Sequence, residues 1–297
     1  MELERLLRNP RMRQAVLGLR REEFARLVPV WEQVWQQVLA ERPNRQRAVG
    51  AGAKGKQAGA ARKLGFMLFY LKGYPTFDVL SFRFALDRSA GCRWGHKLLP
   101  VRERVLGRRL VLPRRKITSL AEFTAAFPGA AEVLVDGMER PIQRPKNAST
   151  NRKHYSGKKQ RPTRKAIVVA GTNRRIGLLT PSQRGARHAQ RGADAHQVIQ
   201  SLPATVSVLA DSGFQGSQHP QLCRPRKGSK NHPLSEADRG WNRLAASVRV
   251  GVEHAIGGLK RFGAAANIYR HHKARGDDRF NLLAAGLWNR CRAFQTT

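Results

Sequence analysis

Two short apolar runs that each end in an aspartate constrain the fold of this chain more than any other feature. The first is Val133-Leu-Val-Asp136-Gly, and the second is Val206-Ser-Val-Leu-Ala-Asp211-Ser-Gly. Such runs predict buried β-strands, and the nearby glycine leaves room beside each carboxylate. A third carboxylate, Glu253, lies in a segment with helical periodicity. Two strand-end aspartates and one helix glutamate can together hold divalent metal for phosphoryl transfer.

A structural role for each carboxylate is the simpler interpretation. Asp-Gly and Asp-Ser-Gly are common turn sequences, in which the aspartate accepts a backbone hydrogen bond. Acidic residues are scarce, however, with 20 Asp plus Glu against 56 Lys plus Arg. Three isolated carboxylates in such a basic chain favour a shared role, although each position taken alone is compatible with a turn.

The net charge of +36 indicates a polyanionic partner. Nucleic acid is the leading candidate, because phosphate contacts with release of counterions dominate binding of this kind. A structural RNA-binding protein and a merely solvated basic surface are the alternatives. The apolar content of 41% and the five Trp residues favour a folded globular protein over a basic tail.

The cysteines and the apolar pattern indicate a cytoplasmic protein. Cys92, Cys223 and Cys291 are widely spaced and form no Cys-x-x-Cys pair, which argues against a disulfide framework or a cysteine zinc site. The N-terminus carries charges every few residues, so we expect no signal peptide, and no apolar run is long enough to predict a membrane span.

The N-terminal part, residues 1–112, is predicted to be an all-α DNA-binding domain. Apolar residues recur at helical spacing over residues 22–39, and residues 64–71 form an apolar helix. Residues 42–61 are rich in Gly, Ala, Lys and Arg and predict a flexible basic linker. Thr76 is expected to cap a helix that ends at Phe84, and Ser89 another that ends near Leu98. Two short helices joined by a tight turn are typical of a helix-turn-helix, although many small helical bundles share this pattern.

The remaining part, residues 113–297, is predicted to be a mixed α/β domain. Strands are expected at 133–135, 166–170, 176–179 and 206–210, with helices at 120–127, 187–202 and 242–262. The central strands are apolar on both faces, so we expect them inside a sheet that helices cover.

The last predicted helix places Glu253 at the edge of its buried face. Asn242, Arg249, Glu253 and Lys260 share one stripe, and an apolar stripe of Leu244, Val248, Val252, Ala255 and Leu259 lies beside it. Gly251, Gly257 and Gly258 are poor helix formers, so the backbone is expected to approach a sheet end or a phosphate backbone closely there.

Several blocks of the sequence resemble the DDE insertion-sequence transposases of bacteria. The most specific are Leu209-Ala-Asp211-Ser-Gly-Phe214-Gln-Gly216 and the spacing Arg249-(3)-Glu253-(6)-Lys260. Three further blocks support the resemblance: Val135-Asp136-Gly-Met-Glu-Arg140-Pro-Ile142, Tyr155-Ser-Gly-Lys158-Lys159 and Tyr70-Leu-Lys-Gly-Tyr74-Pro-Thr-Phe77.

The resemblance implies an RNase H-like mixed sheet flanked by helices, behind an N-terminal helix-turn-helix domain. It implies that Asp136, Asp211 and Glu253 are the catalytic triad and bind two Mg²⁺ or Mn²⁺ ions. Water would then attack a phosphodiester at an element end, and the freed 3′-OH would attack target DNA. Phosphate contacts are expected from Lys158, Lys159, Arg249 and Lys260. The expected partners are double-stranded DNA, as terminal inverted repeats and target, and further copies of the chain in a synaptic complex of at least two, at the bacterial nucleoid.

Two positions depart from the pattern of that family. A His-Asp pair commonly follows the third strand, where this chain has His188-Ala189, and Ala246 stands where a tyrosine often precedes the arginine. Neither change removes a member of the triad. A catalytically inactive, transposase-derived DNA-binding protein is therefore the alternative to an active enzyme.

Overall fold

The computed structural model describes residues 3–41, 57–106, 119–127, 130, 132–214, 216, 219–271 and 276–293. The predicted linker at 42–61 lies mostly outside these residues, as does the predicted domain boundary between 112 and 113. The chain divides into two compact units. Unit 1 comprises Met1–Arg108, Lys260–Asn267 and Arg279–Thr297, and unit 2 comprises Arg109–Leu259 and Ile268–Asp278.

Helices make up the described part of unit 1. They are α1 (Leu3–Arg8), α2 (Pro10–Leu17), α3 (Arg21–Ala40), α4 (Ala60–Gly73), α5 (Phe77–Phe84), α6 (Arg88–Lys97), α7 (Leu99–Leu106), α12 (Gly263–Ala266) and most of α13 (Gly276–Ala293). The central helix is α4, with eight buried residues. Phe280 of α13 packs on Tyr70 and Tyr74 at centroid distances of 6.1 and 5.6 Å, so the end of the chain completes this core.

Helices α5 and α6 pack together after a short connection, as predicted. The Thr76 hydroxyl accepts from the Val79 amide at 3.4 Å and caps α5. The predicted cap of α6 was wrong, because Asp87 caps this helix instead of Ser89. Its Oδ1 accepts from the Ala90 amide at 2.7 Å and from the Ser89 hydroxyl at 2.6 Å.

Within its described residues, unit 2 is built on a mixed sheet of seven strands. The strands are β1 (Glu132–Pro141), β2 (Tyr155–Ser156), β3 (Arg161–Gly171), β4 (Ile176–Leu179), β5 (Gln183–Arg184), β6 (Ser207–Ala210) and β7 (Leu222–Cys223). Their order is β2-β3-β1-β6-β7, and β4 and β5 also pair with β3. The β1–β3, β3–β4 and β3–β5 pairs are antiparallel, while β6 is parallel to both β1 and β7.

Helices flank this sheet. They are α8 (Leu120–Ala126), α9 (Ala148–His154), α10 (Ala189–Ala195) and α11 (Glu236–Lys260), of which Lys260 belongs to unit 1. One face of β1, carrying Val133 and Val135, joins a buried cluster with Phe123 and Phe127 around α8 and with Ala193 of α10. The chain is thus of the mixed α/β class that the sequence predicts.

Several elements differ from the predicted ones. The helix expected over 187–202 is confined to α10, because Gln197 adopts a left-handed φ of 50° and directs Val198 and Ile199 into the core. Helix α11 begins at Glu236, before the predicted 242, and Leu244 of its predicted apolar stripe is 59% exposed. The two-residue strands and α13 were missed. Within the described residues, no helix is long and apolar enough to span a membrane.

Candidate active site

The register of β1 against β6 brings Asp136 and Asp211 side by side. These strands are parallel, and their last paired residues are Val135 and Ala210. Asp136 follows Val135 within β1, and Asp211 is the first residue after β6. Since neighbouring strands lie about 4.8 Å apart, the two carboxylates start from adjacent positions of the sheet.

The predicted strand end at Asp136 was wrong, although that at Asp211 is confirmed. β1 continues to Pro141 because its antiparallel partner β3 continues, with Asp136 opposite Val168 and Pro141 opposite Thr163. β6 stops at Ala210. Asp136 therefore lies inside a strand whose pairing with β6 has just ended, which leaves one edge of β1 open beside it.

Each aspartate accepts a short-range backbone hydrogen bond. Oδ1 of Asp136 accepts from the Gly137 amide at 2.6 Å, and Oδ1 of Asp211 accepts from the Gly213 amide at 2.8 Å. The second bond is that of the turn expected for Asp-Ser-Gly. An ionised carboxylate offers about four acceptor sites, so one such bond leaves capacity for other ligands.

Burial and the neighbouring Asp211 shift the pKa of Asp136 in the same direction. Burial raises the pKa of this carboxyl group above its usual value, and the charge of Asp211 raises the pKa further. The Gly137 amide and the charges of Arg249 and Lys158 oppose this rise. Two carboxylates that repel each other in a half-buried setting are stabilised by a cation between them, so this pair fits a divalent metal ion.

Helix α11 crosses the face of β1 on which Asp136 lies. A Cβ added at Gly251 would lie 2.7 Å from Cδ1 of Leu134, and Leu134 and Asp136 share a face because strand side chains alternate. A close approach at Gly251 is thereby confirmed, although its partner is a side chain within β1 and not the expected sheet end. Around Gly257, in contrast, there is open space.

Glu253 lies on another side of this helix. It is two residues from Gly251, about 200° around the axis, and its side chain is 57% exposed. Nη2 of Arg249 lies 3.4 Å from Oε1 of Glu253. Arg249 thus pairs with Glu253 while its charge acts on Asp136. Among the described residues, no group of three or more His, Cys, Asp and Glu is close enough to hold a metal ion.

The other predicted site residues lie at different places. Lys158, in the turn between β2 and β3, is exposed, and its charge reaches Asp136. Lys159 is exposed beside it, and its amide donates to Ser156 Oγ at 3.2 Å. Lys260 ends α11 in unit 1. Ala189 begins α10, and its Cβ lies 3.3 Å from the position that a Cβ of Gly137 would take.

A buried ion pair near the site was not predicted. Nζ of Lys165 lies 3.3 Å from Oε1 of Glu139, and these side chains are only 12% and 8% exposed. Burial alone would raise the pKa of Glu139, but hydrogen bonds from Ser156 and Thr163 and the charge of Lys165 bring it below the usual value. Glu139 stands in one of the quoted blocks, but its partners depend on cross-strand register, which a single sequence does not encode locally.

A second unpredicted contact fixes the segment after Asp211. Oε1 of Gln190, on α10, accepts from the Gly216 amide at 3.1 Å. Phe214 is fully buried in the core of unit 2, so this segment is held at two points. The Phe-Gln-Gly part of the block was the available signal, since a buried aromatic residue beside glycines is typical of an anchored turn.

Comparisons with known proteins identify the family of this chain. Residues 135–289, just over half of the chain, match the DDE superfamily endonuclease family, and this region contains Asp136, Asp211 and Glu253. The probable transposase for insertion sequence element IS702 of Microchaete diplosiphon is 29% identical over 224 residues, which cover 74% of this chain and 76% of the relative. No solved structure matches significantly. The chain belongs to the DDE superfamily endonucleases, and it is homologous to an insertion-sequence transposase.

Proposed function

We propose that the protein is a transposase that cuts and joins DNA at the ends of an insertion sequence by metal-dependent phosphoryl transfer. The observation that carries this proposal is the adjacency of Asp136 and Asp211 at the point where β1 and β6 stop pairing. Membership of the endonuclease family and the likeness to a probable transposase support the reaction class. The charge of +36 suits a DNA substrate.

The fold supports the same function. Three antiparallel strands, β1, β3 and β4, followed by two strands parallel to β1, are the arrangement expected of an RNase H-like domain. The pair α5 and α6 in unit 1 suits a helix-turn-helix that recognises the terminal repeats of the element. In this proposal at least two copies of the chain act together on two element ends.

In this proposal the site residues are either metal ligands or phosphate contacts. Asp136, Asp211 and Glu253 would hold Mg²⁺ or Mn²⁺, and these ions, when bound, supply charge neutralisation at the scissile phosphate and activation of water. Glu253 has to exchange its contact with Arg249 for the metal, and its exposure permits that movement. Lys158, Lys159, Arg249 and Lys260 bind phosphates of the DNA; for Lys158 and Arg249 this rests on their electrostatic effect on Asp136.

The function is tested by incubating the full chain with linear DNA that carries the sequences flanking its gene. With Mg²⁺ or Mn²⁺ we expect strand cleavage at the junction of element and flank, and joining of the freed 3′ ends to a second DNA. EDTA should abolish both reactions and leave binding in place. DNA with scrambled ends is the control substrate, and equal cleavage of both substrates would contradict recognition of element ends.

The inactive, transposase-derived DNA-binding protein remains the second candidate. It is favoured by the pairing of Glu253 with Arg249 and by the alanine at position 189. Specific binding of the flanking repeats without cleavage, in either metal and over a range of pH, would establish this candidate and overturn the first.

A further inference from the structure

A basic cleft lies beside β5 and the start of α10, both in unit 2. Its volume is about 710 Å³, and Lys153, Arg164, Arg184, Arg187 and Arg191 are among its lining residues. None of the residues known to line it is acidic. The cleft is separate from the lysines and arginine that the sequence predicts as phosphate contacts.

Most of these cations are available to a ligand. Lys153, Arg184, Arg187 and Arg191 are exposed. Nη1 of Arg187 donates to Oε1 of Gln183 at 2.9 Å, which leaves the other donors of its guanidinium group for a ligand. Arg164 is the exception, because its Nε lies 2.9 Å from Oδ2 of the buried Asp277 and its Nη2 donates to the Ser182 carbonyl at 2.8 Å. One lining cation is thus neutralised locally, and the other four give the cleft a strong positive potential.

The segment that carries Arg184 and Arg187 is held in place. A Cβ at Gly185 would lie 2.1 Å from Oγ1 of Thr163, so only glycine permits this close approach to β3. Nζ of Lys165 donates to the carbonyl of Arg187 at 2.7 Å, and the same lysine pairs with Glu139 of β1. Cations on a fixed backbone lose less conformational entropy when they bind a phosphate.

The cleft lies beside β5, two strands away from β1. Arg184 of β5 pairs with Arg164 of β3, which in turn pairs with Arg140 of β1. Helix α10 approaches the Cβ position of Gly137, which is on the opposite face of β1 from Asp136 because strand side chains alternate. The cleft is therefore a contact surface of unit 2 separate from the position of the two aspartates.

We propose that this cleft binds the phosphate backbone of duplex DNA away from the scissile phosphate, with Arg184 and Arg187 as the principal contacts. The proposal rests on the proposed function, because that function makes DNA the substrate of unit 2. Arginine suits this role, since its guanidinium group presents several donors to phosphate oxygens. Such contacts hold the duplex in position and carry no base specificity.

The lining of the cleft argues against a small organic ligand. Pockets for such ligands are lined mainly by apolar and aromatic side chains with a few polar groups. Here the lining is dominated by long cationic side chains, and Ala186 is its apolar residue. A repeating anion is the better match.

The test is a salt titration of DNA binding by the full chain in EDTA, so that no cleavage intervenes. The double variant Arg184→Gln/Arg187→Gln is compared with Arg239→Gln/Arg243→Gln, which removes the same charge from exposed positions of α11 outside the cleft. The plot of log K against log salt has a negative slope. We expect the cleft variant to have a shallower slope, reduced in magnitude by about 2, which is about one for each lost phosphate contact. The control should keep the wild-type slope. Melting curves that match the wild type establish that both variants are folded.

Each other outcome overturns the proposal. An unchanged slope for the cleft variant excludes these phosphate contacts, and an equal change in the α11 control indicates bulk charge alone. An equal loss of affinity for an RNA duplex of the same length overturns the assignment to DNA. The titration contains no metal and does not depend on cleavage. A protein that binds DNA through the cleft but never cuts it would therefore contradict the proposed function and still support phosphate binding by the cleft.

Discussion

The pKa values of two buried carboxyl groups of unit 2, those of Glu139 and Asp136, shift in opposite directions. Glu139 is buried, but Ser156, Thr163 and Lys165 contact its carboxylate, and its pKa falls below the usual value. The pKa of Asp136 is raised, because burial and then the charge of Asp211 outweigh the Gly137 amide and the charges of Arg249 and Lys158. A carboxylate whose contacts leave its pKa raised is a candidate for metal or substrate binding, whereas the contacts of Glu139 stabilise its charged form within the protein.

The reactivity of the Cys291 thiol tests whether this residue is buried in the core of unit 1. Burial and then the charge of Glu23 raise the pKa of its thiol to about 12. At pH 8 about one molecule in ten thousand would carry the reactive thiolate. We expect a Cys92→Ser/Cys223→Ser variant, in which Cys291 is the only thiol, to resist a thiol reagent such as DTNB until the protein is unfolded.

The control for this reaction is the wild-type protein, in which Cys92 and Cys223 are partly exposed and should react in the native state. Rapid labelling of Cys291 under native conditions would contradict the packing of α13 in unit 1.

At the level of elements, the contact of α11 with β1 decides where Arg249 and Glu253 lie. Glycine costs about 0.5–1 kcal/mol relative to alanine inside a helix, so a helix that carries several glycines needs a compensating contact. Gly251 has one, since it lets the helix backbone approach Leu134. Nothing in the structure explains Gly257.

Gly251→Ala and Gly257→Ala form a matched pair that tests this contact. Gly257→Ala should stabilise the protein by up to about 0.5–1 kcal/mol, because the new methyl group meets open space. Gly251→Ala should give no such gain and should lower the melting temperature, since the buried Leu134 has to move. Equal melting temperatures for the two variants would contradict the described packing.

The sequence predicts the strands and helices of the site better than it predicts how they pair and which residues meet. Apolar runs predict β1, β3, β4 and β6, and cap chemistry predicts the start of α5 at Thr76. The adjacency of Asp136 and Asp211 depends on strand register, and so do the partners of Glu139. The α13 helix was missed, and the basic cleft could not be predicted, because its cations come from α9, β3, β5, α10 and the loop between β5 and α10.

For the whole molecule, the candidate catalytic residues and the N-terminal helices belong to different compact units. Asp136, Asp211 and Glu253 all lie in unit 2, within the region that matches the endonuclease family. Unit 1 takes its core from both ends of the chain, since Phe280 packs on Tyr70 and Tyr74. A DNA-binding fragment that ends near residue 112 would lack this part of the core.

The central claim is that Asp136, Asp211 and Glu253 act as one metal-binding unit in DNA cleavage. The most direct measurement is the rate of Mg²⁺- or Mn²⁺-dependent cleavage of end DNA by Asp136→Asn, Asp211→Asn and Glu253→Gln, with the exposed Asp194→Asn as the matched control. Each of the three variants should abolish cleavage and keep DNA binding, and pairs of them should lose no more than single variants, because one missing ligand already dismantles the site. Asp194→Asn should cut at the wild-type rate. A folded Asp136, Asp211 or Glu253 variant that still cuts at a near-normal rate would contradict the claim.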